Sequence, residues 1–190
     1  MNTKNWVARQ AKDVYVKKKK ESILFKEYYA RSAFKLKEIQ AKYKLFKPNQ
    51  KVIDVGCSPG SFSQVLLEYR CKVIGYDLLE CKLKHPDFTF YKKDITTIKE
   101  IENEFIVSDM SPNLTGNHVK DASDNIELNS HLLSLVCDST TGLICKSFQS
   151  PLQLEFEELL RPHFKTIHKF KPKSSRQSSS EYYYIALNRK

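Results

Sequence analysis

The sequence has no apolar run of the length that crosses a membrane, which takes about 20 residues. Its first residues also lack the apolar core of a secretory signal peptide. These absences argue against membrane insertion and export, and we expect a cytoplasmic protein. Residues 1–12 carry no acidic side chain and include Lys4, Arg9 and Lys12, so the mitochondrial matrix is the alternative location.

Cysteine and histidine are too scattered to suggest a metal centre or a disulfide framework. The chain has five cysteines and five histidines. No two cysteines stand in C-x-x-C spacing, their number is odd, and the histidines show no metal-ligand spacing. We therefore expect no metal site and reduced thiols at Cys57, Cys71, Cys81, Cys137 and Cys145.

Two common phosphate-binding signatures are also missing. The five glycines form neither the G-x-G-x-x-G dinucleotide fingerprint nor a G-K-[ST] loop. Gly56 and Gly60 instead stand as G-x-x-x-G within KVIDVGCSPGSFSQ, residues 51–64. The run from Val52 to Val55 predicts a buried strand, and apolar spacing from Phe62 onward predicts a helix. This order brings backbone N–H groups close to a ligand, although an ordinary strand-to-helix turn has the same pattern.

Acidic residues follow several predicted strands. Asp54 lies near the end of the first strand, Asp77 ends the strand Lys72–Tyr76, and Asp109 follows Phe105–Ser108. In an open α/β sheet, ligands bind at the carboxyl ends of the strands, where an acid can accept hydrogen bonds from a ribose. With Asp94 after the next extended run, the spacing suits an adenosine-containing cofactor without a diphosphate.

The positive charge is concentrated at the two ends of the chain. The formal net charge of +10 divides into +11 for residues 1–51, −7 for 52–164 and +6 for 165–190. If the ends meet in space, they form one basic face, which is typical of proteins that bind a polyanion. A solvated, solubilising surface is the alternative interpretation.

The first fifty residues are predicted to be a basic helical extension packed on the core. Helical spacing predicts a helix over Ser32–Tyr43, after a basic run at Lys17–Lys20. Aromatic residues among lysines suit RNA, where bases stack on rings and phosphates pair with cations. Tyr28 and Tyr29 could either contact RNA in this way or pack in the core.

The second half of the chain continues the α/β pattern. Leu114–Asp124 is predicted to be a loop, Ile126–Cys137 a helix and Gly142–Cys145 a strand. Lys146 follows this strand directly, and a lysine is rarely buried without a function or a partner. A surface lysine is the alternative. The polar, basic loop Lys171–Ser180 could close over a ligand.

Segments along nearly the whole chain resemble the FtsJ/RrmJ family of RNA ribose 2′-O-methyltransferases. They read NWVARQAKDVYVKK, RSAFKLKEI, LFKP, DVGCSPGSFSQ, SDMSPNLTG, CKSFQ and KPKSSRQSSSEYYYIA. The resemblance implies a single domain over residues 1–190 with the Rossmann-like class I S-adenosylmethionine-dependent methyltransferase fold. That α/β fold has a mostly parallel seven-stranded sheet with helices on both faces.

The resemblance also implies the site. The family's Lys-Asp-Lys-Glu catalytic tetrad matches Lys35, Asp109, Lys146 and Glu181, with Lys146 as the candidate general base. The positions that match residues around S-adenosyl-L-methionine are Asp54, Gly56, Gly60, Phe62, Asp77, Asp94 and Asp109. The loop departs from the family at Ser58, Ser61 and Phe62, where Ala, Gly and Trp are usual, and these changes concern cofactor affinity more than chemistry.

The expected reaction is methylation of a ribose 2′-oxygen of large-subunit ribosomal RNA, at a uridine. It needs no metal, because the leaving group is already cationic. We expect a monomer that acts on large-subunit RNA or the large ribosomal subunit, without DNA or membrane partners. A transfer-RNA ribose 2′-O-methyltransferase is one alternative, and a non-catalytic RNA-binding subunit that keeps the fold is another.

Overall fold

The computed structural model describes residues 22–98 and 101–190, which build one seven-stranded sheet in the order β3-β2-β1-β4-β5-β7-β6. The strands are β1 (Lys51–Val55), β2 (Lys72–Asp77), β3 (Phe88–Lys92), β4 (Phe105–Ser108), β5 (Gly142–Phe148), β6 (Phe164–Phe170) and β7 (Glu181–Arg189). Only β7 runs antiparallel to its neighbours, β5 and β6. The mostly parallel seven-stranded sheet that the family resemblance implies is confirmed.

Helices cover both faces of this sheet. They are α1 (Ser32–Tyr43), α2 (Ser61–Glu68), α3 (His118–Leu133) and α4 (Gln153–Leu160). Leu36 of α1 and Leu66 of α2 belong to the core on one face. Leu132 of α3 and Phe156 of α4 belong to the core on the other. Successive strand residues point to opposite faces, so the sheet supplies apolar side chains to both layers.

The strand order places one crevice at the centre of the sheet. From β1 the chain proceeds outward through β2 and β3, and it then returns to the other side of β1 at β4. Val55 of β1 is in register with Ser108 of β4. The residues after these strands therefore emerge side by side, at the switch point where open α/β sheets bind ligands.

Three element predictions need correction. The helix α3 begins at His118, inside the predicted loop Leu114–Asp124, because Asn117 caps it by accepting the N–H groups of Val119 and Lys120. The strand β5 continues past Cys145, so Lys146 lies within it. Residues 22–31 form turns where a helical extension is predicted, although the helix at 32–43 is confirmed.

The described part of the amino-terminal segment packs on α2. Tyr28 is fully buried, and its hydroxyl donates a 2.6 Å hydrogen bond to Glu68 Oε2, so it is a core residue. Tyr29 is exposed. The predicted features at residues 1–21, including Lys17–Lys20, lie outside the described residues. No helix within 22–98 or 101–190 is long and apolar enough to span a bilayer.

Candidate active site

The glycine loop between β1 and α2 adopts a backbone that only glycine takes easily. Gly56 has φ of +72° and Gly60 has φ of +114°, both in the left-handed region. A Cβ on Gly56 would lie 2.6 Å from Met110 Cγ. Gly60 stands at the start of α2, where no side chain of the described residues caps the helix. The first N–H groups of α2 are therefore available to a ligand.

Asp54 is a fully buried acid beneath this loop. Its Oδ2 accepts a 2.6 Å hydrogen bond from Ser63 Oγ, whereas its Oδ1 has no partner among the described residues. Burial raises the pKa of Asp54 to about 7, and the Ser63 bond offsets only part of that effect. A buried oxygen of this kind is an acceptor that a ligand donor can satisfy.

Asp77 fixes the position of the loop. Its Oδ2 accepts the Ser58 N–H and its Oδ1 accepts the Leu79 N–H, both at 2.8 Å. Asp94 is exposed, and its Oδ1 accepts the Thr96 N–H and hydroxyl at 2.9 Å, which starts the short 3-10 helix Ile95–Thr97. The contacts of Asp94 account for that turn, and its assignment to the cofactor stays a prediction.

Asp109 and Lys146 form an ion pair next to the loop. The Lys146 Nζ lies 3.2 Å from Asp109 Oδ1 and donates to the Asp109 main-chain oxygen at 2.6 Å. The Asp109 side chain is 20% exposed and the Lys146 side chain is 8% exposed. Burial alone would raise the pKa of Asp109, but the charges of Lys146 and Lys35 and a hydrogen bond from Tyr183 together lower it. Asp109 is thereby held as a carboxylate.

Lys35 and Glu181 form the second pair. The Lys35 Nζ of α1 lies 2.7 Å from Glu181 Oε1 at the start of β7, and both side chains are largely buried. Ser175 Oγ donates to the same Oε1 at 2.8 Å. The structure thus brings all four predicted catalytic residues to one edge of the sheet, arranged as two lysine–carboxylate pairs.

Tyr183 links the two pairs, and sequence reasoning missed it. Its hydroxyl donates to Asp109 Oδ1 at 2.6 Å, and its ring centroid lies 5.9 Å from Lys35 Nζ. Phe62, which is buried, packs 6.2 Å away from the same ring. Tyr183 is directly opposite Lys146 in the pairing of β5 with β7. Knowledge of this pairing would have identified Tyr183 as a site residue. The sequence alone does not, because β7 contains three consecutive tyrosines and nothing in the run tells which one faces the site.

The described parts of the two basic segments, residues 22–51 and 165–190, meet at this edge. Glu38 of α1 accepts the main-chain N–H groups of Lys173 at 2.6 Å and Ser174 at 2.9 Å. The Arg31 guanidinium donates to the main-chain oxygen of Ser174. Burial lowers the pKa of Arg31, and the nearby charge of Arg176 lowers it further. The loop 171–180 therefore packs against α1, and both bring positive charge to the active-site side.

The residues at this edge fit S-adenosylmethionine. The uncapped start of α2 and the glycine backbone leave main-chain donors for a polar ligand, and Asp54 Oδ1 leaves an acceptor. No group of three or more His, Cys, Asp or Glu side chains able to hold a metal occurs in the described part of the chain. The fold and this site define a Rossmann-like methyltransferase.

Comparison with known proteins specifies the family. A family model described as FtsJ-like methyltransferase matches residues 28–189. The ribosomal RNA large subunit methyltransferase E of Francisella tularensis subsp. holarctica is 36% identical, over 97% of this chain and 95% of that protein. The protein of the same name from Brachyspira hyodysenteriae is also 36% identical, over 95% of this chain and 97% of that protein. The chain belongs to the FtsJ-like methyltransferase family.

A solved structure shares the fold. A crystal structure assigned as a ribosomal RNA methyltransferase from Plasmodium falciparum superposes with a TM-score of 0.72 at 26% identity. The match covers 85% of this chain and 98% of that one. The two chains therefore share the same fold.

Proposed function

We propose that this protein uses S-adenosylmethionine to methylate a ribose 2′-oxygen, at a uridine, in large-subunit ribosomal RNA. The observation that carries the proposal is the placement of the Lys146–Asp109 and Lys35–Glu181 pairs beside the glycine loop. A ribose hydroxyl entering between the loop and these pairs meets a lysine that can take its proton.

Each residue of the two pairs has its own part in the proposed mechanism. When bound, S-adenosylmethionine supplies a methyl group on a positively charged sulfur. Lys146 is the proposed general base: it must first release the proton that it carries in the ion pair with Asp109, and it then accepts the proton of the attacking hydroxyl. The carboxylate and main-chain oxygen of Asp109 hold the Lys146 nitrogen in place. Holding the ribose hydroxyl and the methyl donor in a reactive geometry contributes much of the rate acceleration.

Lys35 is proposed to orient the substrate. It is held by Glu181, which is itself bonded to Ser175, so its ammonium has a fixed position. From there it can donate to the ribose hydroxyl or to an adjacent RNA phosphate. Because Lys35 belongs to α1, which packs against the basic loop 171–180, this contact would connect the reacting ribose to the basic surface.

Ribosomal RNA is preferred to transfer RNA because the two 36% identical relatives are named as large-subunit rRNA methyltransferases. The uridine and the 2′-oxygen are supported by the sequence resemblance.

We further propose a cytoplasmic monomer, with the mitochondrial matrix as the alternative location. Light scattering during size-exclusion chromatography tests the monomer, and fractionation of cells against a mitochondrial marker tests the location.

The decisive test offers labelled S-adenosylmethionine with total transfer RNA, naked large-subunit rRNA and large ribosomal subunits in separate reactions. We expect label in the rRNA or the subunits, at a 2′-O-methyluridine identified by nucleoside mass spectrometry. Lys146→Ala should bind cofactor and RNA normally and lose transfer by about 10²-fold or more. Lys51→Ala is the matched control, because Lys51 forms an exposed ion pair with Glu102.

The other outcomes point to the alternatives. Label found only in transfer RNA would reject the rRNA substrate. Cofactor binding without transfer to any of the three substrates would count against catalysis by the protein alone. RNA binding without cofactor binding would favour the non-catalytic subunit.

A further inference from the structure

Two fully buried asparagines lie on the side of α3 that faces the sheet. Asn125 and Asn129 are one helical turn apart, and neither residue is exposed to solvent. The Asn129 Nδ2 donates a 3.2 Å hydrogen bond to Asn125 Oδ1 and a 2.7 Å hydrogen bond to the main-chain oxygen of Lys146. The mechanism proposed above uses neither asparagine, although Asn129 contacts the backbone of the candidate base.

The chemistry of the acceptor fixes the direction of these bonds. A main-chain oxygen only accepts hydrogen bonds, so the side-chain atom of Asn129 that faces the Lys146 oxygen must be the amide nitrogen. That nitrogen carries two hydrogens, and its second bond is to Asn125 Oδ1. Asn125 therefore orients the amide that donates to Lys146.

The bond to Lys146 falls where β5 has lost a neighbouring strand. β4 pairs with β5 only as far as Cys145, which is opposite Ser108. β7 continues beside β5 as far as Phe148. Among the strands that the structure describes, β5 is therefore paired on one side alone from Lys146 onward, and α3 supplies a further partner there through Asn129. A strand segment with fewer hydrogen-bonded neighbours opens more easily.

Lys146 is thereby held at two points. Asp109, which follows β4, contacts the side-chain nitrogen of Lys146 through its carboxylate at 3.2 Å and its main-chain oxygen at 2.6 Å. Asn129 holds the main chain of the same lysine from α3. The position of the amine depends on both contacts, because a shift of the β5 backbone would move the whole side chain relative to Asp109.

Stability alone does not account for the asparagine pair. Asn125 Nδ2 and Asn129 Oδ1 are buried and have no hydrogen-bond partner in the described part of the chain. Buried polar atoms without partners destabilise a fold, whereas apolar side chains of similar shape would not. The next buried residue on this face of α3, Leu132, is apolar. An unfavourable local arrangement beside a reactive group is typical of functional sites.

We propose that Asn129 is a positioning residue for methyl transfer, which holds the Lys146 backbone so that the amine stays within reach of the ribose hydroxyl. Asn125 supports this contact by orienting the amide. The effect passes through the main chain of Lys146, and neither asparagine contacts the reacting atoms. This inference rests on the proposed function, because it assumes that Lys146 is the base. Misplacing a reactive group by about 1 Å can reduce a rate about a hundredfold.

The kinetic test compares two variants that remove the donor in different ways. Asn129→Leu fills a similar shape without a donor, and Asn129→Ser has a hydroxyl too short to reach the Lys146 oxygen but able to bond within its own helix. For both, we expect kcat for methyl transfer to fall about ten- to a hundredfold, with KM for S-adenosylmethionine and for RNA nearly unchanged. An unchanged kcat in either variant that is folded by circular dichroism would overturn the proposal.

Asn103→Leu is the matched control. Asn103 is also fully buried, and its Nδ2 donates to the main-chain oxygens of Ile101 at 2.9 Å and Leu135 at 2.8 Å. It precedes β4, so it lies at the opposite edge of the sheet from the active site. This variant should lose stability and keep its kcat. An equal fall of kcat in Asn103→Leu would show that the loss of any buried amide has this effect, and the proposal would be wrong.

Amide hydrogen exchange measures the positioning directly and needs no activity. Residues 145–148 of β5 should exchange faster in Asn129→Ser than in the wild type, and at the wild-type rate in Asn103→Leu. Unchanged exchange at these residues would mean that Asn129 does not hold the strand, which would reject the proposal. If the wild type transferred no methyl group while this exchange still depended on Asn129, the proposed function would be wrong, and Asn129 would hold the strand without serving the reaction.

Discussion

Tyr183 and Lys146 share one acceptor, the Oδ1 atom of Asp109. The Tyr183 hydroxyl donates to it at 2.6 Å and the Lys146 ammonium lies 3.2 Å from it. The phenol is fully buried, and its bond helps to keep Asp109 ionised. Tyr183 therefore supports the carboxylate that positions the candidate base.

Tyr183→Phe should lower the rate constant of methyl transfer about ten- to a hundredfold. A hydrogen bond to a charged group contributes about 1.5–3 kcal/mol, and each 1.4 kcal/mol corresponds to a factor of ten. The ring remains, so the packing of Phe62 and the cofactor affinity should change little. Single-turnover transfer and calorimetry measure the two quantities. Tyr182→Phe is the control, because its hydroxyl donates to Tyr184. An equal loss in both variants would contradict the prediction.

The four catalytic candidates could be predicted from sequence, but their pairing could not. Lys35, Asp109, Lys146 and Glu181 lie in short motifs that resemble a known family, and the structure places them together. Which lysine contacts which acid depends on the register of β5 with β7 and on how α1 packs on the sheet. Both are long-range properties that no local pattern encodes. Tyr183 was missed for the same reason.

The start of α3 was missed for a different reason. The buried residues of its first turns are polar or small, namely Asp121, Ala122 and Asn125, so the apolar spacing that identifies a helix is absent there. Val119 is 53% exposed. The cap at Asn117 is the local signal that was available, because an asparagine that accepts the next N–H groups starts a helix. Buried strands and the glycine loop were predicted well, since their apolar runs and turns are local.

Gly56→Ala should disrupt the glycine loop and the cofactor binding proposed there, whereas Gly116→Ala should not. Both glycines have positive φ, so alanine at either position costs about 1–2 kcal/mol of backbone strain. Only at Gly56 would the new Cβ also lie 2.6 Å from Met110 Cγ. No atom of the described residues comes within 4 Å of a Cβ at Gly116. We expect a larger loss of unfolding free energy for Gly56→Ala, by denaturant titration, together with loss of cofactor binding. Equal losses in the two variants would show that the contact with Met110 is unimportant.

Ser175→Ala should weaken the Lys35–Glu181 pair, whereas its neighbour Ser174→Ala should not. Ser175 Oγ donates to Glu181, and loss of a hydrogen bond to a carboxylate costs about 1.5–3 kcal/mol. The Oγ of Ser174 is buried and has no partner within the described residues, so its removal should be neutral or stabilising. Thermal unfolding and methyl-transfer rates of the two variants measure the difference. A larger effect from Ser174→Ala would refute this assignment.

Asp54 should make the stability of the cofactor-free protein depend on pH. Burial raises the folded-state pKa of Asp54 to about 7, above the value of about 3.9 in an unfolded chain. Between these two values the folded protein binds more protons than the unfolded chain, so its unfolding free energy falls as pH rises. The contribution of Asp54 is fully present below about pH 4 and is lost as the pH passes through about 7, by up to about 4 kcal/mol.

Asp54→Asn isolates this contribution, because asparagine has a similar shape and does not titrate. The unfolding free energies of the wild type and the variant, from urea titrations between about pH 4 and pH 8, should differ in a pH-dependent way. Relative to the variant, the wild type should lose stability across that range and level off above about pH 7. The subtraction removes every other titrating group that the two proteins share. A difference that stays constant with pH would mean that Asp54 is ionised in the folded protein, and that its buried Oδ1 is satisfied as a carboxylate.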